Sequence, residues 1–73
     1  MTKKDFEAIA AVFKSTVQWA DAQGRFSQFR VALKLADYFE TANSRFDRTR
    51  FLLAAGFERD LTLYGDTKDR RGR

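Results

Sequence analysis

Arg45, Arg48 and Arg50 stand close together in RFDRTRFLLAAGF, residues 45–57. Guanidinium groups present planar forks of N–H donors, and a helix start adds free backbone N–H groups. Such a cluster can hold phosphate or carboxylate. A structural role competes with that chemistry: Asp47, Asp37, Glu40 or Asp21 would neutralise the charges, and the arginine stems would cover Phe46 and Phe51. In a helix beginning at Arg48, both Arg48 and Arg50 sit at the positive end of the dipole, unfavourable by about 0.3–1 kcal/mol each. A protein carrying charges there has either an acid to pair them or an anion to receive.

Two further groups could bind a partner. Trp19, Phe26, Phe29 and Phe39 lie on broad helical faces and are candidates for an apolar interface, against the commoner alternative that they are core. Lys68, Arg70, Arg71 and Arg73 make the C-terminal end basic and could touch nucleic acid in a salt-dependent way. The chemistry that is missing is as informative. There is no Cys and no His among the 73 residues, which removes disulfides, the usual zinc ligands and most nucleophile–base arrangements. Asp37 and Glu40 share no clear face that would make them a catalytic pair. The expectation is a non-enzymatic protein with no cofactor and no metal.

These residues must be positioned by a small domain. A chain of this length makes one domain at most, and its core supplies only about 3–5 kcal/mol. Eight Phe, two Tyr and one Trp point to an aromatic core, or to a homodimer that shares one. The longest apolar run, Phe51 to Ala55, is far too short for a membrane span, and MTKKDFEAIA is no signal peptide. Formal charge is +4, which permits acidic partners without requiring them. The reading is cytoplasmic, with no membrane.

Helical periodicity places Phe6, Ile9, Ala10, Phe13, Val17 and Ala20 on one face of a helix over Lys3 to Ala22, with Val12 and Trp19 on its flank. Thr2 and Asp5 suit a capping box, and Gly24 suits the stop. A second helix, from Arg25 or Phe26 to Ala42, is apolar over about two thirds of its circumference. Asp47 caps a third, Arg48 to Ala55, with Phe46 and Phe51 as a hydrophobic staple and Gly56–Phe57 as a Schellman stop onto Leu52. Leu61, Leu63 and Tyr64 add one more turn or an extended piece. GDTKDRRGR, residues 65–73, is expected to be disordered.

MTKKDFEAIA and FDRTRFLLAAGF together resemble a group of short bacteriophage and prophage proteins of the actinobacterial type. Their closing segment runs Asn-Pro-Arg-Phe-Asp-Arg-x-Arg-Phe-Leu-x-Ala-Cys-Gly. Here Asn43, Arg45 to Arg48, Arg50 to Leu52, Ala54 and Gly56 match it, while Ser44 replaces Pro and Ala55 replaces Cys. The resemblance spans about residues 1–57 and carries no site residues across. It implies a viral accessory protein that binds a host or viral macromolecule.

The expected architecture is all-α: two long antiparallel helices and a short third in a domain over residues 1–64, then a basic tail. The leading function is binding a host or phage protein, in the setting of counter-defence or host takeover. The alternative is nucleic-acid binding, with Arg45, Arg48, Arg50 and the tail on phosphates. Helix–turn–helix reading of DNA is disfavoured, since the third helix is polar only in its first turn.

Overall fold

The computed structural model describes residues 2–65, and these fold into four helices with no strand among them. The element order is α1 (Lys3–Val17), α2 (Ala22–Ala42), α3 (Arg48–Ala54) and α4 (Glu58–Tyr64). All-helical architecture is as expected, and the number of helices is not. Leu61, Leu63 and Tyr64 belong to α4, a complete two-turn helix beyond the expected third. The basic stretch with Lys68, Arg70, Arg71 and Arg73 lies outside the described residues.

Helix α1 starts where Asp5, at N3, accepts the Thr2 backbone N–H at 2.9 Å. It ends at Val17, five residues before the expected Ala22. The cause is Asp21, whose carboxylate takes the Gly24 N–H at 2.7 Å and caps α2. Gly24 therefore stands in the first turn of α2 rather than at the stop of α1. A side-chain cap satisfies a donor that the helix start would otherwise leave open, which outweighs the modest penalty of a helical glycine. Trp19 consequently sits in the turn between helices.

Helix α3 is specified at both ends as its sequence requires. Asp47 accepts the Arg50 N–H at 3.0 Å. The Phe46 and Phe51 rings lie 5.5 Å apart. At the other end Ala55 is the C-cap, and Gly56 takes φ +89°. Phe57 N–H reaches Leu52 O, and Gly56 N–H reaches Leu53 O, both at 3.0 Å. These two hydrogen bonds make a Schellman stop.

Packing joins these pieces through aromatic rings. Phe6 meets Phe39 at 4.9 Å and Phe46 at 4.7 Å, and Phe39 meets Phe51 at 5.6 Å. Phe13 bridges Phe51 and Phe57, and Phe29 continues from Phe57 to Tyr64, which touches Phe26. All eight phenylalanines thus belong to one connected network, most of its pairs tilted or edge-on, as ring quadrupoles favour. Ala32, Ala36, Leu52 and Ala55 are fully buried between the rings and let the helices approach closely.

Candidate partner-binding groove

The three clustered arginines have different surroundings. Arg48 is only 7 % exposed, and its Nη1 donates to Asp37 Oδ1 at 2.6 Å and to Glu40 Oε1 at 2.9 Å. Its guanidinium ties the start of α3 to the last turns of α2. Asp37 and Glu40, three apart on α2, therefore do converge, on a cation rather than on a catalytic centre; positions i and i+3 are helix-surface neighbours. The structure takes Arg48 out of the exposed cluster and leaves Arg45 and Arg50 there. Of the four acids that could neutralise the cluster, Asp47 and Asp21 are engaged as caps.

Arg45 and Arg50 are exposed, and among the described residues neither forms an ion pair. Arg45 sits in the loop joining α2 to α3, where its backbone N–H is held by Asn43 Oδ1 at 3.0 Å and the next N–H, of Phe46, by Asn43 O at 3.0 Å. The side chain is thus carried on a pinned turn. Arg50 projects from the first turn of α3. Both line an open groove of about 370 Å³ between α1 and α3.

The groove is built from three segments. The first half of α1 contributes Lys3, Phe6, Glu7 and Ala10, spaced along one helical face. The α2–α3 loop contributes Asn43, Arg45, Phe46 and Asp47, and α3 contributes Arg50, Phe51 and Ala54. Its floor is apolar, made by the three phenylalanines and two alanines. Its rim carries three cations against two carboxylates, and Asp47 is already turned toward the α3 backbone. Sequence reasoning located Arg45 and Arg50 but missed Lys3, Ala10 and Ala54. One signal was available: Lys3, like Arg50, stands in the first turn of a helix, against the dipole.

The apolar candidates separate as well. Phe29 and Phe39 are 1 % and 4 % exposed, so they are core and offer no interface. The fourth helix and the α2–α3 loop, which place Tyr64 and Phe46 against them, supply the cover that was not foreseen. Phe26 is partly covered by Tyr64 at 5.0 Å, with the Arg30 guanidinium 5.9 Å from its ring centre. Trp19 alone among the four points freely into solvent, 84 % exposed. It stands in the turn after α1 and does not line the groove.

A separate buried charge lies where α2 meets α4. Asp60 is 3 % exposed, and its Oδ1 accepts from Arg25 Nη2 at 3.2 Å. The same Nη2 reaches Gly56 O at 3.3 Å, so one side chain of α2 holds both the Schellman turn and α4. No helix among the described residues is long and apolar enough to cross a membrane. Comparison with family models, with curated proteins and with solved structures finds no match. The groove's own chemistry is therefore the basis for a functional reading.

Proposed function

We propose that this chain is a non-enzymatic accessory protein of the phage type that binds a macromolecule in the host cytoplasm, a protein in preference to nucleic acid. One observation carries the reading. The fold consumes Arg48 in ion pairs, yet leaves Arg45 and Arg50 in solvent beside an open groove with a phenylalanine floor. Charged rims around apolar floors are the usual anatomy of protein interfaces. A phosphate backbone would use the cations but leave the apolar floor unused. In this reading the two long helices are an antiparallel pair, supported by contact of Phe6 with Phe39 near one end and by the Thr16–Gln28 hydrogen bond near the other. Phe6 against Phe46 and Phe13 against Phe51 hold α1 to the far wall of the groove.

Cross-linking in host lysate, followed by capture, tests the reading with wild type beside the Arg45→Glu, Arg50→Glu double variant. The expected result is a partner protein whose yield falls sharply in the variant while its helical circular dichroism is unchanged. Binding to random-sequence duplex DNA at low and moderate salt is the counter-test. Strong binding that collapses with salt and with the same double variant would replace the protein partner by nucleic acid.

A further inference from the structure

The groove's dimensions and charges specify what kind of segment it takes, an inference that rests on the partner-binding reading above. A volume of about 370 Å³ is near the lower limit of small-molecule sites, roughly 300–1,000 Å³. It suits one or two side chains better than a cofactor. The floor has no polar side chain to orient a small molecule: Phe6, Phe46 and Phe51 offer rings, and Ala10 and Ala54 offer methyl groups. What such a floor gains from is a bulky apolar side chain removed from water.

We propose that the groove between α1 and α3 is the docking site for an acidic segment of a partner protein carrying one bulky apolar anchor. The anchor enters between Phe6 and Ala54. Carboxylates flanking it meet Arg45 on the loop side and Arg50 on the α3 side. Arg45 arrives preorganised, because the Asn43 side chain holds its backbone, so less ordering entropy is lost on contact than a free loop would lose. Lys3 faces the same mouth from α1 and admits a further carboxylate. Glu7 and Asp47 oppose these cations on the rim, but Asp47 is held by the Arg50 backbone N–H, so the net field favours an acidic over a basic segment while the floor selects for apolar bulk.

Fluorescence anisotropy with a labelled hexapeptide tests this directly. The probe has a Trp-Leu centre and a pair of glutamates on each side; its controls replace the glutamates by lysines, or the centre by Ser-Ser. Saturable binding of the acidic apolar peptide alone is expected. Arg45→Glu with Arg50→Glu should weaken it about tenfold. Ala54→Gln narrows the groove without altering charge, and about threefold weakening is expected from the lost apolar contact. Trp19→Ser, outside the groove, should leave affinity unchanged. Thermal unfolding of each variant confirms that it is folded.

The proposal is overturned if folded wild type binds no acidic peptide, if either control binds as well as the probe, or if Ala54→Gln binds at full strength. Failure of the broader reading looks different. If the peptide fails but a cross-linked host protein still depends on Arg45 and Arg50, the occupant is wrong and partner binding stands. If capture is also indifferent to those arginines, both readings fall.

Discussion

Arg48 and Asp60 are the buried charged side chains of the described residues, and their surroundings set opposite expectations for their removal. Asp37 and Glu40 are partly exposed, so water can take over when Arg48 is lost. Arg48→Met, which keeps most of the stem's packing, should cost about 1–2 kcal/mol in urea unfolding, below the ~3–5 kcal/mol of a fully buried pair. Asp60 is the harder case. Its Oδ2 is buried with no hydrogen-bond partner among the described residues, so the carboxylate relies on Arg25. Removing Arg25 strands a charge, whereas removing Asp60 leaves a guanidinium that can turn to solvent. Arg25→Leu should therefore destabilise by more than Asp60→Leu. The reverse order in urea midpoints would show that Asp60 is held by something other than Arg25. Little of this could be foreseen from the chain alone. The chain offers Asp47, Asp37, Glu40 and Asp21 as acids for the arginine cluster as a whole, and which arginine is consumed, and by which of them, depends on how α3 crosses α2.

Helix α3 is where element and site meet, since it supplies Arg50, Phe51 and Ala54 to the groove and Leu52 to the core. Seven residues do not hold a helix in water; the two stops and the docking must. Asp47→Ala removes the acceptor of the Arg50 N–H and should cost about 1 kcal/mol. Gly56→Ala places a Cβ at φ +89°, 3.4 Å from Val17 Cγ1, and should cost about 1–2 kcal/mol from the left-handed conformation. Chemical denaturation with far-ultraviolet dichroism measures both, and costs near zero would mean that packing alone shapes α3. This helix was legible because its signals are local: cap, staple and glycine stop fall within thirteen residues. Boundaries that depend on competition were not. Gly24 offered α1 a stop, but Asp21 lies three residues before it and claims its N–H, so the breaker became part of α2. Helix α4 was hidden for another reason. Its N-cap is Phe57, which has no capping side chain, and seven residues carry too short a period to reveal an apolar face.

At the scale of the molecule, the rings form a chain with a middle. Phe6, Phe39, Phe46 and Phe51 cluster beneath the groove, while Phe26, Phe29 and Tyr64 cluster under α4. Phe57, fully buried, joins the two through Phe13 on one side and Phe29 on the other. Its position follows from the Schellman turn, which aims the residue after Gly56 back into the core. The core of a domain of this size supplies only about 3–5 kcal/mol, and a buried Phe→Ala change costs about 3–5 kcal/mol. Phe57→Ala should therefore remove much of the stability and lower the thermal midpoint by at least ~12 °C, with groove binding lost above that lower midpoint. Phe57→Leu, which keeps most of the volume, should lose less than half as much. Trp19→Ser provides the contrast, because an aromatic residue in solvent adds nothing to this network; its stability should match wild type within ~0.5 kcal/mol. If Phe57→Ala instead unfolds in two separate steps, α4 and its rings are an independent unit, and Phe57 is a hinge between two cores rather than the centre of one.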